Sequence, residues 1–506
     1  MKIKNIYKGM ILATTLIIGM WVSGCKKGTL DAIKPTGTPT TTNFWKTADD
    51  AQQAANGLYD LQSNDEDLYG RGFFWFIDAS DDMVVGRTSA DRENIKNFVC
   101  TGNEQSIYAP WSAHFEVMKR ANDIIANVPG INMDQATKNF ILGQAYFIHA
   151  TMHLEIADLY GSATQGAPVQ NRANPLAFPL QLPSVKDNYA YIIADLKKAA
   201  TLLPYLNQLA VTDYGRAHKT AAWAYLAKAY LHAKDYPNAE KYADSVILSG
   251  KHALLPNYAD VFKIANNYSS EYIWSVASSQ YGESILPGAM LENKGWGLYN
   301  GFGYYQPTKE LVDEFEPGDK RLAATILKKG DTFQYFGQTY TYPIGGVSNS
   351  LTGYQFNKYM EPFSYAGGIH VSTNGNEPST DLNVPLLRYA EVILIKAEAE
   401  IMQGKSGDAE INMIRQRAGL APVSGATMVN LKHERRVELA GEWSDRNFDL
   451  VRWGDAQAVY AKPLHGSDGS VVWPARNFVP ARDNVWPIPP NDIQISQGQL
   501  KQNAGW

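Results

Sequence analysis

The chain has 506 residues, 45% hydrophobic and 12% aromatic, with 46 basic residues against 51 acidic ones and a net charge of −5. That acidic balance argues against nucleic acid as a partner, because phosphate binding needs a concentrated basic surface. With only two cysteines, stability must come from a large buried core rather than from disulfide staples.

The N-terminus comes first. Lys2, Lys4 and Lys8 precede an apolar run over 10–22. That run is too short to cross a bilayer, which takes about 20 apolar residues, so residues 1–24 read as an export signal. The tetrapeptide VSGC at 22–25 matches the bacterial lipobox, in which cleavage leaves Cys25 as an acylated first residue. Acyl chains anchor rather than span, each buried CH₂ adding roughly 0.8 kcal/mol. Residues 25–43, rich in Thr, Pro and Gly, form a tether, and no later run is long and apolar enough for a transmembrane helix.

Helical spacing of apolar residues then predicts helices over 111–128, 138–161 and 187–204, the last ending at a proline. Block 215–250 is more specific. Trp223, Leu226, Ala227, Tyr230 and Ala239 fall at the spacings of the 34-residue tetratricopeptide repeat. Small Ala227 and Ala239 are expected to let paired helices approach closely, with Trp223 and Tyr230 filling the groove between them. A second, degenerate unit over 388–419 repeats the spacing with Ala397 and Ala409. Residues 255–385 instead mix short β-prone runs with Gly-, Pro- and Asn-rich loops, and loops this long are usually functional. The expected fold is mainly α: a degenerate tetratricopeptide-repeat platform with long irregular insertions and short β hairpins. Residues 44–506 form one domain, with the helical core at about 44–60, 111–250 and 385–455 and insertions at about 61–110 and 255–384.

Motifs for chemistry mostly fail. His149 and His153 have the spacing of a zinc helix but lack the Glu of H-E-x-x-H, so inward packing is the expected role and no metal is assigned. Gly404-Lys405-Ser406 lacks the first glycine of a phosphate loop, and a calcium loop starting at Asp65 would end on Phe76 rather than Glu. No cofactor motif is present. The charge-rich stretch HERRVELAGEWSDRNFDLVRWG (433–454) alternates acids and bases at helical spacing, which favours a structural ion-pair network over a catalytic carboxylate pair.

Residues 295–305, GWGLYNGFGYY, hold five aromatics and four glycines, a composition suited to a loop that presents rings. Tyr and Trp join an apolar face to a polar tip, as a wet binding surface requires.

The stretches TTNFWKTADDAQQAANGLYD (41–60), RANDIIANVP (120–129), HATMHLEIADLYG (149–161) and GRAHKTAAWAYLAKAYL (215–231) together resemble the SusD/RagB family of outer-membrane nutrient-binding lipoproteins. So do PTKELVDEFEPGDKR (307–321), VPLLRYAEVILIKAEA (384–399), the stretch 433–454 and the ending PIPPNDIQISQGQLKQNAGW. The chain departs from the family at His149, where Arg is usual, and at Lys26 and Lys27, where acidic residues usually follow the lipidated Cys.

The resemblance implies a lipid-anchored protein at the cell surface. It implies capture of oligosaccharides, or of peptides in some members, and delivery to a SusC-like TonB-dependent transporter. The helical face is expected to meet the transporter and the loops the ligand. Trp296 is then the leading stacking residue, followed by Tyr299 and Tyr304. A second rim, LYGRGFFWFIDASDDMVVGR (68–87), offers Arg71, Asp82 and Arg87 for hydrogen bonds to sugar hydroxyls. Trp75 adds a ring there, with burial inside FFWF as the alternative. Two other classes stay open: a repeat scaffold that binds only proteins, and a glycan-active enzyme.

Overall fold

The computed structural model describes residues 44–506 except 63–67, 70–76, 88, 171, 173–177, 280–290, 292–300, 336, 345–348, 362–363, 366–377 and 444–445. Cys25, Arg71, Trp75, Trp296 and Tyr299 therefore lie outside the described residues. The chain divides into two units, Met1–Thr47 and Ala48–Trp506. The second unit carries the helical platform.

Its first helices are α1 (Ala48–Asn56), α2 (Ala90–Lys96), α3 (Gln105–Asn127), α4 (Gln135–Tyr160) and α5 (Val185–Leu202). Asp134 caps α4 by accepting the Thr137 N–H at 2.8 Å. Helix α5 stops where Leu203 turns extended before Pro204, since a residue preceding proline is pushed out of the helical region. Then come α6 (Lys219–His232) and α7 (Tyr236–Ile247), separated by a tight turn that Asp235 caps. Within the long insertion lie α8 (Lys309–Glu314) and α9 (Arg321–Thr325), and after it follow α10 (Tyr389–Met402), α11 (Asp408–Ala418), α12 (Met428–Leu439) and α13 (Arg446–Trp453).

Packing proceeds pair by pair: α3 on α4, α4 on α5, α5 on α6, α6 on α7, then α7 on α10, which carries α11 and α12. Small residues permit the close approach, Ala221, Ala227, Ala239 and Ala397 being fully buried. Two repeat expectations need correction. Trp223 is only half-buried and meets Tyr205 edge-on with ring centroids 5.9 Å apart, so it packs toward the preceding segment. Ala409 is exposed, because α11 turns Ile411, Ile414 and Ala418 inward instead. Tyr230 does sit against its neighbour helix, stacked on Tyr242 at 5.6 Å.

Among the described residues the strands form seven short two-stranded antiparallel ladders. Four strands position the site: β1 (Met83–Val85), β2 (Tyr272–Val276), β3 (Tyr305–Pro307) and β4 (Val384–Arg388). The pairing of β2 with β4 closes the base of the long insertion and runs directly into α10.

A buried ion network rivets that insertion to the platform. Arg388 meets Glu438 at 2.6 Å, Glu442 at 2.6 Å and Glu271 at 2.8 Å. Arg321 meets Asp319 at 2.7 Å and Glu434 at 2.5 Å, and Lys358 meets Glu442 at 2.7 Å. Burial pushes the Glu438 carboxyl up, but Arg417, Arg388 and Arg321 outweigh it and hold the group well below the usual carboxylate range. The charges of 433–454 are thus structural, as their spacing suggested, yet most of their partners lie on other elements rather than one helical turn away.

Candidate ligand-binding site

Both stretches nominated by the sequence meet in one ribbon. Strand β1 pairs antiparallel with β3, Val84 facing Gln306 and Val85 facing Tyr305. The ladder continues through Gly86 N–H, which donates to the Tyr304 carbonyl at 2.7 Å. At the other end, Thr308 Oγ1 donates to the Asp81 carbonyl at 2.7 Å. Gly86 is required by close approach: a Cβ there lies 2.4 Å from the Gly303 carbonyl oxygen.

Two buried cations hold the chain beneath the ribbon. Lys96 Nζ donates to the carbonyls of Asp78, Ser80 and Met83 at 2.7, 2.6 and 2.5 Å. Arg476 donates to the carbonyls of Ala79 and Lys96. Burial drives the Lys96 ammonium well below its ordinary value, aided by Arg476. Burial also pushes the Asp78 carboxyl up to about 7 against Lys96, Arg476 and Arg92, and neither of its oxygens makes a hydrogen bond.

Three nominated residues can be placed here. Tyr304 is 6% exposed, flanked by two guanidinium groups: the Arg92 carbon lies 4.2 Å and the Arg87 carbon 5.3 Å from its ring centroid. Arg87 Nη1 donates to the Tyr304 hydroxyl at 3.4 Å and its side chain faces solvent. Asp82 is different. It is 2% exposed and accepts from Arg436 Nε at 2.7 Å, while Asp81 takes Arg446 at 3.0 Å. Its carboxylate fastens the ribbon to α12, which corrects the expectation of a group free for sugar hydroxyls.

Two residues that sequence reasoning passed over join the area. Arg92 on α2 covers the Tyr304 ring, and half-buried Trp473 donates from Nε1 to Asn97, the residue that closes α2, at 3.0 Å. The run SVVWPARN around Trp473 held an aromatic signal; nothing local marks Arg92.

A groove of about 730 Å³ between α8, α11, α12 and α13 holds charges most of which pair with one another. Arg415 meets Glu316 at 2.5 Å, Arg436 meets Glu314 at 3.0 Å and Lys432 meets Asp455 at 2.6 Å. Among the described residues no group of three or more His, Cys, Asp or Glu is placed to hold a metal ion. His149 and His153 are fully buried on α4. His149 Nδ1 lies 2.9 Å from Asp195, which Arg172 also engages at 2.7 Å, and His153 meets Asn188 at 2.7 Å.

Known proteins give this geometry its context. Residues 229–506 match the family model described as the SusD family, and 38–231 match one described as starch-binding associating with outer membrane. A SusD-like protein P2 of Formosa agariphila is 27% identical across 93% of this chain and 95% of its own. The starch-binding protein SusD of Bacteroides thetaiotaomicron is 27% identical over 71% of this chain and 72% of its own. The fold matches surface glycan-binding protein A of Bacteroides thetaiotaomicron, solved in complex with laminarihexaose, with a TM-score of 0.73 and 21% identity over 90% of this chain and 100% of the other. A helical platform carrying a ribbon-borne insertion, matched by these family models over 38–506, assigns the chain: it belongs to the SusD family.

Proposed function

We propose that the protein is a cell-surface lipoprotein that captures oligosaccharides and hands them to a SusC-like TonB-dependent transporter, without catalysis. The observation that carries this reading is the ribbon. It brings Arg87 and Tyr304, 217 positions apart, into one hydrogen-bonded pair beside both aromatic-rich stretches. Sugar rings present C–H faces to aromatic rings and hydroxyls to nearby polar groups, so such a rim matches a glycan. In this reading Trp296 and Tyr299, from the stretch preceding Tyr304, and Arg71 and Trp75, from the stretch preceding β1, complete the contact surface. Cys25 supplies the anchor, in keeping with the absence of any described helix long and apolar enough to cross a membrane.

A glycan array followed by calorimetric titration tests capture. Saturable binding of an oligosaccharide without product formation is expected, and cleavage of the ligand or indifference to every glycan overturns the reading. Purification from native membranes in mild detergent tests delivery: a large outer-membrane β-barrel is expected to travel with the protein.

A further inference from the structure

The distribution of charge around Tyr304 separates this rim from the rest of the molecule. The protein is acid-rich, and its described arginines are consistently neutralised, from surface Arg120 and Arg216 to fully buried Arg321 and Arg388. The same holds for Arg172, Arg482 and the arginines of α11, α12 and α13, while Arg476 is given over to main-chain carbonyls. Arg87 and Arg92 are the exceptions. Neither has a carboxylate within 4.0 Å among the described residues, yet both stand against one tyrosine ring. Arg92 Nη2 donates only to the Arg87 carbonyl at 3.4 Å, and its buried Nε has no partner.

Two of the nearby acids are engaged elsewhere. Asp91 accepts from the Ser106 N–H at 3.4 Å, and Glu104 accepts from Asn94 and from the Thr101 and Gly102 N–H groups. Asp78 is fully buried and feels the Arg92 charge, but it does not pair with Arg92. Two guanidiniums thus share one tyrosine ring without a paired carboxylate, whereas most described arginines have one. A planar guanidinium fork matches the two oxygens of a carboxylate or sulfate better than a neutral hydroxyl. We propose that the ligand of this site is an anionic glycan, whose carboxylate or sulfate groups are received by Arg87 and Arg92 beside the Tyr304 ring. This rests on the glycan-capture reading above and adds the charge class of the ligand.

The experiment titrates the full chain with three probes: laminarihexaose as the neutral arm, a galacturonic acid oligomer as the carboxylate arm, and a sulfated galactan oligomer as the sulfate arm. One of the two anionic probes is expected to bind and the neutral one to bind at least about tenfold more weakly. That difference is the size associated with one charge-assisted hydrogen bond. Binding should weaken as salt rises, since these groups lie near the surface. Arg87→Gln and Arg92→Gln should each lower anionic binding about tenfold or more. Arg87→Lys should retain part of it, and Lys329→Gln, at an exposed position outside the Arg87–Arg92–Tyr304 cluster, should change nothing. Melting curves on each variant separate lost contacts from lost fold, and Arg87, being exposed, gives the cleaner reading.

Tight binding of laminarihexaose that Arg87→Gln leaves intact overturns the anionic assignment while the glycan reading stands. Anionic binding that survives both Gln substitutions also overturns it, by placing the anion elsewhere. Failure of all three probes and of a wider glycan array overturns the capture reading itself.

Discussion

At the residue scale, the proposed aromatic rim divides rings that pack from rings proposed to meet ligand. Tyr304 lies against guanidinium groups inside the ribbon, so its ring is at least in part a packing element. Trp296 is proposed to act in recognition alone. Replacing Trp296 by Ala should weaken glycan binding roughly 5- to 150-fold, taking stacking as about 1–3 kcal/mol by analogy with bases on aromatic rings. The melting midpoint should barely move, whereas truncating a core Trp costs about 3–5 kcal/mol. Calorimetric titration and a melting curve on the same variant decide between these. Normal affinity with a collapsed melting point makes the ring a packing element.

His433 carries a separate residue-scale prediction. Its Nδ1 lies 2.7 Å from Glu314 and its Nε2 3.2 Å from Glu316, with Glu434 adjacent. Opposing positive charge comes from Arg415 on Glu316 and Arg436 on Glu314. The hydrogen bond to Glu314 raises the imidazole above its ordinary value despite partial burial. A group raised on folding binds more protons in the native state. Its stabilisation is therefore complete below its unfolded value of about 6.5 and is lost as pH rises through the higher native value. His433→Gln should flatten the fall in melting temperature over that window. A pH profile identical to the parent's rules the histidine out as its source.

At the element scale, the β1–β3 ribbon is the device that joins two distant insertions. Its position is set by main-chain bonds to Lys96 and Arg476 and by the Asp81 and Asp82 pairs with Arg446 and Arg436. Gly86→Val tests this. The new side chain meets the Gly303 carbonyl and Gln306, and overpacking of this kind costs about 1–3 kcal/mol. Displacing Gly86 also pulls Arg87 from the Tyr304 hydroxyl, so affinity and melting temperature should fall together. A fall in melting temperature with unchanged affinity separates the ribbon from recognition.

At the scale of the whole molecule, the helical series α3 to α7 and α10 to α12 forms a continuous platform, and the ion network centred on Arg388 fixes the long insertion to it. Buried pairs of this sort hold geometry more than they add net stability, since desolvation offsets much of their attraction. The proposed anchor acts at the same scale. Cys25→Ser should release the protein from the membrane fraction or leave its leader uncleaved. Mass spectrometry of the N-terminus checks this, and an unmodified Cys25 in a protein that stays membrane-bound removes the lipoprotein assignment.

The sequence by itself determined the helical platform, the short hairpins and the family, because helical periodicity is local and each motif sits within a few turns of chain. It also marked 433–454 as structural, though it misplaced the partners of those charges. Only tertiary structure decided that Asp82 is locked to Arg436, that Ala409 faces solvent, and that Arg92 covers Tyr304. Each of these depends on contacts between segments far apart in the chain. Which strand pairs with which, and which carboxylate reaches which arginine, is set by the packed fold and leaves no period in the sequence.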